Sequence, residues 1–503
     1  MNLTARKLVA LLTITALGTA TLPFTTPQAQ AAGFTTSMSA TATQLTNQQV
    51  QAAIKELNRL GIMNGYSDQS MGELRAITRA ELASLIYRTF DLQSKTGDSA
   101  VTLTDIQANA WYAPYALKAV ETGIMQSVDG EFHPQSLVTD AELEEVVSKA
   151  LKRDVKSVHH WMSAFYEETG SVTRGETAVL LQKAYQAIPS DQARIESIKP
   201  LNNMTLVITF DKPLTAEDEV FAKSRTDFAF SGGLNLTNMP RLKTGSVATY
   251  IVPTSVQQAG EAYSLTYKGQ DAGSFKGSDV KVNMTQVRQV TNDTFEIEAL
   301  KEKGVVDYGY IISAYSAGRG ANAFILNDQE QADGKTYQII SSMQARQVTI
   351  TPENGEPIIA KYVPFTQSTD GRQEPKFRLP EGQILKPGVS YTVTSEWASI
   401  EHASFTAKSF EALVVESAKV ASDSAIEVTL AQDPGDELFS GRSVSLTAPD
   451  GHVLTATYKY SSRKGATGVF ELANGEKLIS GTIYTLNPVG DWSVASSVTV
   501  VQQ

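Results

Sequence analysis

Cysteine is absent from all 503 residues, which excludes disulfides, thiolate nucleophiles, iron–sulfur clusters and cysteine-type zinc sites. Histidine is scarce, with five in the chain, too few for a His-rich metal site. Positive charge is in deficit: 43 Lys and Arg stand against 54 Asp and Glu, a net of −11. A nucleic-acid binder carries the opposite excess, so no nucleic-acid partner is expected. After residue 31 no apolar run reaches the ~18 residues of a membrane helix, so no membrane span is expected in the mature chain. Gly-x-Ser-x-Gly, His-Glu-x-x-His and phosphate-loop signatures are also missing. No catalytic residue, metal site or cofactor is therefore assigned, and the chain is read as a non-enzyme.

Residues 1–31 read as a secretory signal peptide. Arg6 and Lys7 form a positive start, Leu8 to Leu22 is mostly apolar, and Ala29-Gln30-Ala31 is a small-residue cleavage site. Removal of two cations leaves a net charge of −13. Export without cysteine suits a bacterial cell surface.

Residues 44–188 carry helical periodicity and a repeated start signal. Thr78-Arg79-Ala80-Glu81, Thr139-Asp140-Ala141-Glu142 and Thr173-Arg174-Gly175-Glu176 each precede apolar side chains spaced as one helix face. Thr-x-x-Glu is a capping box, so each motif predicts a helix start; Thr46-Asn47-Gln48-Gln49 is another candidate. Leu60-Gly61-Ile62-Met63-Asn64-Gly65-Tyr66 and Thr122-Gly123-Ile124-Met125 place Gly61 and Gly123 where a helix ends in a left-handed residue.

These motifs resemble the S-layer homology (SLH) family. The resemblance covers three repeats, at 44–96, 97–154 and 155–188. The third is short and degenerate, with Trp161 alone near its aromatic position. It implies a pseudo-threefold helical prism that holds an exported protein to a secondary cell-wall polysaccharide, often one bearing pyruvate ketals.

Residues 194–503 alternate in the manner of half-buried strands. Gly-x-x-Tyr-(Ser/Thr)-apolar recurs at Gly260, Gly388 and Gly481, each downstream of a turn at Asn203, Asp293 or Asp423. The separations are 57, 95 and 58 residues. Three antiparallel β-sandwich modules follow, at 194–283, 284–411 and 412–503, the middle one expanded by about 37 residues. They look like the bacterial Ig-like modules of surface-layer proteins. Tyr263, Tyr391 and Tyr484 are expected at one buried position in each. The fold class is α+β multidomain: a helical SLH pseudo-trimer, then β-sandwiches.

Arg79 and Arg174 sit where a cation opposes the helix dipole. Two readings stand: an anion clamp built from the guanidinium and the helix-start amides, or a solvated surface arginine. The resemblance favours the clamp and adds Trp111, Thr78, Thr173, Gly65 and Tyr66 to a polysaccharide-binding set. For Trp111 and Trp161, stacking on sugar competes with plugging the core; the threonines are chiefly caps. Asp140 replaces the arginine in the second motif and is expected to cripple the second groove. His159-His160 makes a poor metal pair, because adjacent helical side chains diverge. Asp433, Asp436 and Glu437, and the run Asn327, Asp328, Glu330 and Asp333, are loop carboxylates without EF-hand spacing. The region 44–188 holds 13 basic and 18 acidic residues, so specific pockets rather than bulk attraction must hold an acidic polymer.

The expected function is structural. The chain is read as a non-catalytic surface-layer protein, secreted to the bacterial cell wall and anchored to an anionic polysaccharide. Its β-modules would serve display or self-association in a lattice, with calcium bridging carboxylates. A tethered glycan hydrolase and an adhesin using the expanded module are the alternatives.

Overall fold

The computed structural model describes residues 47–94, 101–162, 170–300, 304–317, 324–364, 372–435, 438–495 and 497–502. The signal peptide, Thr46, Asp436 and Glu437 lie outside them.

Six helices build the first part: α1 (Asn47–Arg59), α2 (Arg79–Thr89), α3 (Ala113–Glu121), α4 (Asp140–Leu151), α5 (Val155–Met162) and α6 (Arg174–Gln186). They pair α1 with α6, α2 with α3 and α4 with α5 around a single apolar core. Both expected left-handed glycines are present, Gly61 and Gly123 each at φ +70°. After each, two amides return to the last helical turn, Ile62 and Met63 to Leu57 O, Ile124 and Met125 to Ala119 O.

The residue before each capping threonine closes a backbone ring. Ile77 N donates to Val172 O, Val172 N to Val138 O, and Val138 N to Ile77 O, at 2.9–3.1 Å. All three side chains are buried. Three equivalent segments therefore meet on one pseudo-threefold axis, and each repeat leans on the next.

The second part is many-stranded. In residues 195–276, a four-stranded sheet and a three-stranded sheet share one apolar core. Residues 282–406 form a nine-stranded sheet, and residues 413–501 an eight-stranded one. The expected strands are found at Thr205–Phe210, Thr294–Leu300 and Ala425–Leu430, with the alternate apolar residues buried. The hairpins Ile195–Asn202/Thr205–Phe210 and Leu413–Ser422/Ala425–Leu430 share one register: each is bulged after its first pair and before its last. Strand Val282–Gln289 crosses the expected boundary at 283/284, so that boundary belongs before Val282.

A purely stranded second part was expected, and two helices correct it: α7 (Phe221–Asp227) and α8 (Tyr308–Ala317). Helix α8 lies in the expansion. Val306, Tyr308, Ile311, Leu326 and Ile339 pack with Leu201, Val207 and Ile251 of the first sheet. Tyr315 O accepts from Lys156 Nζ of α5 at 2.6 Å. The expansion thus braces the prism and first sheet instead of standing free.

The three repeated tyrosines occupy like settings. Tyr263, Tyr391 and Tyr484 are 2%, 3% and 0% exposed. Each hydroxyl accepts from the amide five residues earlier, Gln258, Lys386 and Ile479, at 2.9–3.0 Å.

Candidate functional site

Helix starts decide what the prism offers a ligand. Thr78 and Thr173 complete the expected boxes: Glu81 N and Glu176 N donate to their hydroxyls, and both carboxylates reach back to the cap amides. The other helix-start amides are taken. Arg79 N and Ala80 N donate to Ser136 O and Pro134 O, and Arg174 N and Gly175 N to Arg75 O and Glu73 O. The expected clamp of amides plus guanidinium is therefore corrected, because the neighbouring repeat's carbonyls satisfy those donors.

The same neighbours receive the arginine side chains. Arg174 gives Nε to Met71 O at 2.9 Å and Nη2 to Asn64 O, in the loop of the first repeat. Arg79 gives Nε to Phe132 O at 2.8 Å and Nη2 to Gln126 O at 2.6 Å, in the loop of the second. Neither is a solvated surface side chain; Arg174 is 5% exposed. Each arginine serves the loop of the next repeat around the ring. The expectation for Asp140 is corrected accordingly: the arginine that serves the second loop is Arg79 of the first repeat, not the residue at position 140. Asp140 Oδ1 accepts its own helix-start amide, Ala141 N, at 2.9 Å, a bond that a neighbour's carbonyl makes in the other two helices.

A hollow of about 210 Å³ opens over the first loop, lined by Asn64, Gly65, Tyr66, Glu81, Ser84, Leu85, Arg88, Trp111 and Arg174. Four of the seven expected residues meet here: Gly65, Tyr66, Trp111 and Arg174. Thr78, Thr173 and Arg79 do not line it. The guanidinia of Arg75 and Arg174 lie over the Tyr66 ring, 4.1 and 4.8 Å from its centre, and Tyr66 donates to Glu81 Oε1 at 2.6 Å. Burial, then that hydrogen bond, raises the Tyr66 pKa. Burial pushes the Glu81 carboxyl up, but hydrogen bonds from Tyr66 and Thr78 outweigh it and hold Glu81 below its usual range. Arg174 Nη1 is left without a hydrogen bond among the described residues. Trp111 is 59% exposed, its ring edge-on to Tyr112 at 5.5 Å.

The second loop has no tyrosine at the position of Tyr66. There Arg79 Nη1 pairs with Glu142, the N3 carboxylate of α4. That pairing also explains why α4 keeps only half of its box: Thr139 caps Glu142 N, but no return bond from Glu142 is made.

Residues not singled out by the sequence complete the first hollow. Ser84 and Arg88 follow Glu81 at helical spacing, a signal that reading α2 for its polar face would have caught, and they flank Leu85 of its apolar face. Gly72 escapes such a reading: at φ +61°, an added Cβ would lie 2.4 Å from the Tyr66 ring. Trp161 does not reach a groove. It is 5% exposed and donates from Nε1 to Gly245 O at 2.8 Å, docking the prism on the first sheet. His159 Nδ1 lies 3.0 Å from Glu144. Of the loop carboxylates, Glu330 pairs with buried Lys243 at 2.7 Å and Asp433 with Arg463 at 2.8 Å.

Residues 48–83 and 102–143 match the model of the S-layer homology domain. A surface layer protein of Brevibacillus choshinensis is 25% identical over 304 residues, covering 56% of this chain and 27% of the relative. A middle cell wall protein of Brevibacillus brevis is 25% identical over 254 residues, 46% of this chain and 24% of the relative. The chain thus spans about a quarter of the length of these relatives. Among solved structures, domains 1–6 of surface layer protein SbsC align over 91% of this chain and 73% of that one, at 13% identity and a TM-score of 0.15; a superposition at that score does not establish shared geometry. No helix among the described residues is long and apolar enough to cross a membrane. Matched by family model and joined in one backbone ring, residues 48–83 and 102–143 are S-layer homology repeats, and the chain is one of the bacterial cell wall and surface layer.

Proposed function

We propose that the prism anchors this protein to an anionic cell-wall polysaccharide through the hollow over the first loop, and that the rest of the chain is non-catalytic. The observation that carries this is the meeting of Trp111, Arg88 and the free Nη1 of Arg174 in one hollow. An exposed indole offers a face for a sugar ring, and guanidinium donors suit an acidic substituent. Tyr66 and Thr78 take the hydrogen bonds of the Glu81 carboxylate, which leaves the arginine open to an outside anion. The three strand sets, read as Ig-like modules, serve assembly or display. The adhesin reading loses ground, because the expansion it relied on packs against the prism and first sheet.

Sedimentation of the full chain with purified walls tests the anchor. Trp111→Ala and Arg88→Ala should each leave more protein in the supernatant, as should walls stripped of their polymer. Wild-type sedimentation of the double variant would remove the hollow from the account. Calcium-bridged self-association is tested separately: the chain should sediment faster with calcium and revert with a chelator, as expected for an acidic surface.

A further inference from the structure

The joint between the strand sets 282–406 and 413–501 buries more positive charge than it cancels. Arg442 gives Nη1 and Nη2 to the Asp293 carboxylate at 2.6 and 2.8 Å. Arg378 gives Nε to Thr294 Oγ1 at 3.2 Å and Nη1 to Ser440 O at 2.8 Å. Burial, then the nearby Arg442, pulls the Arg378 pKa down to about 9. Two guanidinia thus share one carboxylate. Two donors are left over: Arg378 Nη2 and Arg442 Nε are buried and have no hydrogen-bond partner.

Both arginines line a single cleft of about 230 Å³ between the two strand sets, with Gly441 and Gly490 in its wall. Glycine is required at 441: the residue sits at φ +67°, and an added Cβ would lie 3.2 Å from Arg378 Nη1. The carboxylates on the cleft wall are Asp293, already paired with Arg442, and Glu381 and Asp491, both exposed. A water molecule would satisfy the leftover donors but leave the second positive charge uncompensated. An anion does both.

We infer that this cleft binds a small tetrahedral oxyanion, sulfate or phosphate, free or as an ester, between Arg378 Nη2 and Arg442 Nε. Bound there, it ties the second strand set to the third, since each arginine comes from a different set. The site is separate from the prism and does not rest on the anchoring reading.

Calorimetric titration of the full chain with sodium sulfate, against sodium chloride at matched ionic strength, tests it. One site per chain is expected, and Arg378→Gln should weaken it about tenfold or more, the loss of one charge-assisted bond. Methyl phosphate in a parallel titration separates the sources: binding it too means that an ester fits, and sulfate alone means a free ion. Should Arg378→Gln fail to fold, crystals of the unaltered chain soaked in selenate give a second reading, an anomalous peak between the two arginines. Absence of sulfate heat beyond chloride, unchanged heat in Arg378→Gln, or a cleft holding only water or the Glu381 carboxylate would overturn the inference.

Discussion

Arg79 and Arg174 hold equivalent places in the ring, and one neighbour separates them. Beside Arg174 stands Tyr66, whose hydroxyl occupies Glu81; beside Arg79 nothing intervenes, and Glu142 closes on the guanidinium. Glu142→Gln should therefore open a second groove. Wall polymer bound per prism should rise, at a stability cost of about 1.5–3 kcal/mol for a largely buried, charge-assisted pair; an unchanged stoichiometry would show that the second loop lacks more than charge. Arg174→Ala behaves differently. It orphans Asn64 O and Met71 O, so a loss of about 1.5–3 kcal/mol is expected in chemical denaturation. A neutral result would mean that those carbonyls find water.

At the scale of elements, close approach sets the sequence. Helix α6 begins so near the first loop that a Cβ on Gly175 would lie 2.9 Å from both Glu73 O and Val50 Cγ1. Helix propensity favours alanine by up to about 1 kcal/mol, but overpacking against a backbone carbonyl costs about 1–3 kcal/mol. Gly175→Ala should lower the melting temperature, although Ala80 fills the same place in α2. The repeated tyrosines make a matched set. Tyr263→Phe, Tyr391→Phe and Tyr484→Phe each strand an amide and should each cost about 1 kcal/mol. Unequal losses in three parallel denaturation curves would argue against one shared device.

For the whole molecule, ion pairs at the joints set the acid limit. Burial raises Asp293, but Arg442 outweighs it and holds the carboxyl down at about 2, below the ordinary 3.8. A depressed folded pKa contributes stability above pH ~4 that disappears as pH falls toward 2, about 2 kcal/mol in all. Asp293→Asn should flatten that limb of the stability curve between pH 4 and 2; an identical acid limb would place the sensitivity elsewhere. The prism is likewise tied to the strands. Trp161 reaches Gly245 O at 2.8 Å, and Arg153 donates to Ser246 O and Val247 O at 2.9–3.2 Å. The prism and the first strand set are therefore joined directly.

Local signals in the chain determined the helix starts, the left-handed glycines, the alternating strands and the three buried tyrosines, because capping, handedness and burial period act within about ten residues. They singled out Arg174 at its helix start, while Gly65, Tyr66 and Trp111 of the first hollow came from the family resemblance. Tertiary structure alone decided which repeat each arginine serves, that helix-start amides are spent on neighbouring carbonyls, and that Glu142 closes the second loop. It also turned Trp161 inward and folded the expansion back as a brace. Each of these depends on a ring closure or a joint between residues tens to more than a hundred positions apart, and no periodicity in one segment records which distant segment will supply its partner.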